Sequence, residues 1–234
     1  MGDPHRQGTA HVLTHAGLPR AQSASLLGEA GWALGMLTDA MAAYSAVELL
    51  ELFQRAQAAF TDRVDAIKPD QWDDESLPGW TVADLVAHLV NEALWVPPLL
   101  AGEPYDLIEG RFPDDTDDLL GDDPFSGWET AADGALSAFA QDDALRHTVH
   151  LSGGPTPAAE YILEMTADLV VHSYDLAAAT DGDTDLDGEL VTAALVYAER
   201  LPLDGIKGLI DPPLDVPPSA PPLVRLLGRF GRRP

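Results

Sequence analysis

The chain has no cysteine among its 234 residues. That excludes a disulfide framework and any thiolate metal site. It also excludes a thiol nucleophile supplied by the protein, so any thiol chemistry must use a thiol that arrives as a ligand. Basic residues are few: 13 Lys and Arg face 39 Asp and Glu, for a net charge of −26. Phosphate backbones and anionic membranes need clustered Lys and Arg, so nucleic acid and membrane surfaces are excluded as expected partners. No apolar run approaches the roughly 20 residues of a membrane span. Ser25 to Leu37 is mildly apolar but is interrupted by Glu29. No basic start followed by a clean apolar stretch marks a secretory signal, so a cytoplasmic location is expected.

Strand signals are also scarce, and helical periodicity dominates. Residues 1–40 carry scattered Gly, His, Ser and Thr without a sustained period, and are expected to form a disordered arm. From Ser45 to Ile67, Val47, Leu50, Phe53, Ala56, Phe60, Val64 and Ile67 recur at steps of three and four, which predicts a helix. Lys68 to Gly79 reads as a loop. Thr81, with Asp84 three residues on, predicts a capped second helix running to about Val96, where Pro97 and Pro98 should stop it. Residues 101–124 read as an acidic connection. Their aspartates lack the twelve-residue spacing and closing Glu of a calcium loop, which favours a solvated loop.

A third helix is expected over Ser126 to Ala140, burying Trp128, Leu136 and Phe139. Arg146 to Leu151 reads as a short extended piece. Thr156 should cap a long helix that begins at Pro157 and ends near Thr180. A fifth helix is expected over Asp187 to Arg200, followed by an extended tail rich in proline. The order of elements predicts an all-α protein: a four-helix bundle over residues 41–182, then a C-terminal helix and tail over residues 183–234.

Of the seven histidines, His5, His11 and His15 fall in the unpatterned arm, and His147 and His150 in the short extended piece. His172 differs. Met165, Leu169 and Leu176 share its helical face, so its imidazole points inward. Asp168 lies one turn earlier, and an inward carboxylate is costly unless it is paired or bound to a cation. His88 lies at the edge of the apolar arc of the second helix, with Glu92 one turn further on as a supporting acceptor or an extra ligand. Spacing alone leaves two readings. Asp168 and His172 form a hydrogen-bonded core pair with His88 unrelated, or the three residues clasp one metal ion.

Two segments carry a resemblance. Gly79-Trp80-Thr81-Val82-Ala83-Asp84-Leu85-Val86-Ala87-His88 resembles a "G-W-T-V-x-D-L-x-x-H" pattern. Asp168 to Ala177 resembles a "D-x-x-x-H-x-W-D-L-A" pattern, with Tyr174 where Trp is common. The closing Leu223 to Pro234 is similar to an "R-L-L-x-x-x-G-R-x-P" tail. These patterns are those of the actinobacterial DinB-like metal-binding proteins related to mycothiol-dependent maleylpyruvate isomerase. The resemblance covers about residues 44–234. It implies a four-helix bundle and a divalent metal ion, zinc above all, held by His88, Asp168 and His172. It also implies mycothiol as a thiol cosubstrate and a small electrophile as its partner. The isomerase has a further C-terminal domain that contributes to its active site, where this chain has only a proline-rich tail. Three functions are consistent with this reading: a thiol-using transferase or isomerase, a metal-dependent binding module without turnover, and a structural bundle in which the three residues only pack.

Overall fold

A computed structural model describes residues 44–200 and 213–233. The expectations for residues 1–40, including the arm and its three histidines, lie outside the described residues. Eight α-helices and two small hairpins make up the rest: α1 Ala46–Asp65, β1 Glu75–Leu77, β2 Trp80–Thr81, α2 Val82–Leu100, α3 Tyr105–Ile108, α4 Thr116–Leu120, α5 Pro124–Phe139, β3 Thr148–Leu151, β4 Gly154–Pro157, α6 Ala158–Ala179, α7 Gly188–Ala198 and α8 Pro222–Arg229. The fold is all-α, as expected. The four long helices contact one another around a common core, α1 against α5 and α6, and α2 against α5 and α6. Helix α7 packs on α6 and α8 packs on α7. No helix among the described residues is long and apolar enough to cross a membrane.

Capping fixes where the long helices start. Ser45 and Glu48 form a reciprocal box on α1, and Thr81 and Asp84 do the same on α2. Asp84 also accepts a 2.6 Å hydrogen bond from the Thr116 hydroxyl, which ties α4 to the start of α2. The hairpin β1–β2 leads into α2 through Gly79, whose φ of +81° is the left-handed conformation that glycine takes without steric cost.

Several local expectations are corrected. Helix α2 does not stop at Val96 but continues through Pro97 and Pro98 to Leu100. The prolines sit in its last turns, where each forfeits one N–H while its carbonyl still serves. The Pro97 carbonyl accepts from Ala101 and that of Pro98 from Glu103, both at 3.0 Å. Thr156 does not cap α6. It lies in β4, and the first N–H of the helix, on Ala158, donates to the His147 carbonyl at 2.9 Å. The acidic connection holds the short helices α3 and α4 rather than a plain loop. On α1 the buried face begins at Leu49 and Leu52, while Val47 is 66% exposed. The tail is not wholly extended, because Pro222 opens helix α8, a common first-turn use of proline.

Candidate metal centre

The capping box places His88 two turns into α2, and α6 presents Asp168 and His172 one turn apart. The Nε2 of His88 lies 3.3 Å from Asp168 Oδ2, and the Nε2 of His172 lies 3.4 Å from Asp168 Oδ1. The two rings meet edge to face, with centroids 5.2 Å apart, and Trp80 stands edge-on to His88 at 5.4 Å. One ligand atom from each of His88, Asp168 and His172 falls within 4.8 Å of the others. The structure therefore brings together all three residues singled out in the sequence. Glu92 is not part of that group. His147 and His150 are exposed and are not part of that group.

The polar contacts of the three residues are unequal. His172 makes a second contact, Nδ1 to Asp175 Oδ2 at 3.0 Å. The His88 Nδ1 is buried without a hydrogen-bond partner. Burial opposes charge on Asp168, but the imidazoles of His172 and His88 outweigh it and hold its carboxyl well below the usual carboxylate range. Burial likewise opposes charge on His172, but Asp168 and then Asp175 outweigh it and raise the imidazole to about 9.

Below this group the core stays acidic. Glu92, one turn beyond His88, is 6% exposed and its Oε1 has no partner. Burial, then Asp168 and Glu164, push its carboxyl well up, toward the neutral form. Burial, followed by Glu92, Glu164 and Asp168, also pushes the Tyr161 phenol well up. A small cleft lined by Phe53, Gln57, Leu89, Glu92, Trp128 and Asp168 joins this region to the apolar core.

Sequence reasoning missed Asp175 and Arg232. Asp175 follows His172 by three residues, a helical neighbour spacing that could have found it. Arg232 reaches Asp175 Oδ2 from the C-terminal segment at 3.1 Å. Only its place in the tail pattern offered a signal, and that pattern names no contact.

The fold and the site together define a helical protein with two imidazoles and a carboxylate gathered between two core helices. Residues 53–177 match the family model of the mycothiol maleylpyruvate isomerase N-terminal domain. The chain belongs to that family. Two uncharacterized proteins of Mycobacterium tuberculosis, one from strain CDC 1551 / Oshkosh and one from strain ATCC 25618 / H37Rv, are similar to it. Each is 33% identical over 187 residues, covering 76% of this chain and 94% of the relative. No solved structure matches the chain.

Proposed function

We propose that the protein binds one divalent metal ion through His88, Asp168 and His172. We further propose that it uses a small-molecule thiol, mycothiol or a relative of it, in transfer to or isomerisation of a small electrophile. The observation that carries this reading is the spacing of the three side chains. Neighbouring ligands of a tetrahedral ion with bonds of ~2.1 Å stand about 3.4 Å apart. The two imidazole-to-carboxylate distances of 3.3 and 3.4 Å match that edge length. They are longer than an ordinary N–H···O bond of about 2.7–3.2 Å. The two imidazoles favour zinc or a similar transition ion over calcium and magnesium, which prefer oxygen shells.

Three protein ligands leave a fourth position open, as in catalytic rather than structural sites. A bound ion there would hold an incoming thiol as thiolate. Asp168 supplies a single negative charge against a divalent cation, so the site keeps a net attraction for an anion. The chain contributes no thiol of its own, and the family name points to mycothiol as the source. His172 contacts Asp175 through Nδ1, and Trp80 packs edge-on against His88. The test follows both electrophile conversion and thiol consumption with metal-loaded protein, mycothiol and a panel of small electrophiles. Thiol transfer, or isomerisation without net thiol loss, that requires both the metal and His88 is the expected result.

A second reading, a metal-dependent binding module without turnover, is favoured by the lack of a free base near the site among the described residues. Asp175 is engaged by His172 and Arg232, and Glu92 is driven toward its neutral form. Bound metal with neither thiol transfer to nor isomerisation of any electrophile of the panel would select this reading.

A further inference from the structure

The C-terminal segment 213–233 is anchored to the helical body at several points. Leu226 and Leu227 are fully buried. Arg225 pairs with Glu199, and Arg229 Nε donates to the Ala198 carbonyl at 3.0 Å. The segment also folds against itself. The Leu214 N–H donates to the Gly228 carbonyl at 2.8 Å. A Cβ on Gly228 would stand 2.4 Å from Val216 Cγ2, so any side chain there would force Val216 to move.

Beyond α8 the chain reverses at Gly231, whose φ is +74°. This turn aims Arg232 back at α6. Its backbone N–H donates to the Leu227 carbonyl at 2.9 Å, and its Nη1 donates to the Phe230 carbonyl at 2.7 Å. The rest of the guanidinium faces Asp175, with Nη2 at 3.1 Å and Nε at 3.3 Å from Oδ2, and Nε at 3.4 Å from Oδ1. The Asp175 side chain is only 3% exposed, and the same Oδ2 lies 3.0 Å from His172 Nδ1. A buried carboxylate is costly unless its oxygens are engaged, and here a tail arginine and a core histidine share that task.

We propose that Arg232 is a positioning residue for His172, acting through Asp175. The guanidinium fixes the rotamer of Asp175, and the carboxylate accepts the Nδ1–H of His172. The ring is thereby turned so that Nε2 faces Asp168 and His88. A histidine that ligates through one ring nitrogen is commonly oriented by a carboxylate on the other, and such partners affect affinity strongly. In this chain the outermost member of that series comes from a separate segment, 57 residues away in sequence. Docking of segment 213–233 and occupation of the centre are therefore coupled, and each favours the other. The coupling to metal rests on the ligand set proposed above, whereas the orientation of His172 does not.

The test uses the full chain with Arg232→Ala and Arg232→Lys. Arg225→Ala is the control, because it removes a different anchor of the same segment. In the metal-free protein, the His172 Nδ1–H is followed by NMR as a slowly exchanging imidazole proton. Cobalt(II) binding is followed by its visible absorption. Arg232→Ala is expected to lose the protected Nδ1–H signal and to weaken cobalt binding about 10- to 100-fold. Arg232→Lys should recover part of both, and Arg225→Ala should match the wild type in both. A wild-type imidazole signal together with wild-type cobalt affinity in Arg232→Ala would overturn the proposal. So would equal losses in Arg225→Ala, which would reduce Arg232 to a general anchor. Failure of the wild type to take up cobalt would overturn the proposed ligand set. In that case the Nδ1–H signal decides: its loss in Arg232→Ala alone supports positioning, and its persistence refutes it.

Discussion

Two seams of the same core are built on opposite principles. Between α1 and α5 the contacts are aromatic and complete. Phe53 meets Phe139 edge-on at 5.0 Å, and Phe60 meets Trp128 at 4.8 Å. The polar atoms in this seam have partners: Trp128 Nε1 donates to Thr61 Oγ1 at 2.8 Å, and Gln57 Nε2 donates to the Ala132 carbonyl at 2.9 Å. Between α2 and α6 the chain instead gathers His88, Asp168, His172 and Glu92, and leaves His88 Nδ1 and Glu92 Oε1 without partners. Packing alone would favour apolar side chains at these positions, since buried polar groups stabilise only when satisfied. The first seam holds the fold together. The second keeps polar groups together that the proposed metal ion would engage.

The comparison breaks most readily at its apolar side. Trp128→Ala removes the largest fully buried side chain among the described residues and leaves Thr61 without its donor. A loss of about 3–5 kcal/mol is expected, equal with and without metal, read from urea unfolding. A loss confined to metal-loaded protein would erase the division between the seams.

His88→Ala or His172→Ala should act on the other seam alone. Zinc at 100-fold excess over its Kd adds about 2.7 kcal/mol to the folded state. Each variant should forfeit that increment in thermal unfolding with zinc. The readout is the difference between zinc-loaded and zinc-free protein, which should vanish in both variants whatever either loses without zinc.

The third prediction concerns pH. His172 is raised to about 9 in the metal-free protein, so its contribution to stability is fully present below its unfolded value of about 6.5. It is lost as pH rises from there to about 9. His172→Ala should flatten this fall. Metal must displace the same proton, so affinity should rise with pH by about tenfold per unit up to about 9 and then level off. Calorimetric titration over this range measures the slope, and an affinity independent of pH would contradict the assignment of His172.

The smallest effect is expected at Glu92. Burial already pushes this carboxyl toward its neutral form, so Glu92→Gln exchanges one neutral group for another of similar shape. Below about pH 4.3, where the carboxyl is uncharged in the folded and the unfolded chain alike, stability should change by less than about 1 kcal/mol. The wild-type carboxyl, raised in the folded state, makes stability fall as pH climbs above its unfolded value of about 4.3. The variant should lose that slope in pH-dependent unfolding. A large destabilisation would mean that Glu92 acts as an anion.

Much of the second seam was legible in the sequence because its signals are local. Thr81 and Asp84 mark the start of α2, and helical periodicity then places His88 at the edge of its buried arc. Asp168 and His172 lie four residues apart on an inward face. What was not legible depends on contacts distant in sequence or on burial of the whole surface. Arg232 meets Asp175 only because α8 docks on α7 and Gly231 reverses the chain. The buried face of α1 was misread because Val47 and Leu49 are equally apolar, and only the position of the neighbouring helices decides which one is covered. Pro97 and Pro98 read as a stop, but near a helix end the carbonyls still find donors, so the helix runs on to Leu100.

The most direct test of the central claim is elemental analysis of wild type, His88→Ala and His172→Ala, each purified without an affinity tag and reconstituted with zinc. His88 is the only proposed ligand from α2, and His172 is one arm of the clasp on α6, so two remaining ligands would compete poorly with water. The account predicts about one ion per chain in the wild type and none retained by either variant. Equal metal in all three proteins, or none in the wild type, would contradict it and leave His88, Asp168 and His172 as packing residues of a helical core.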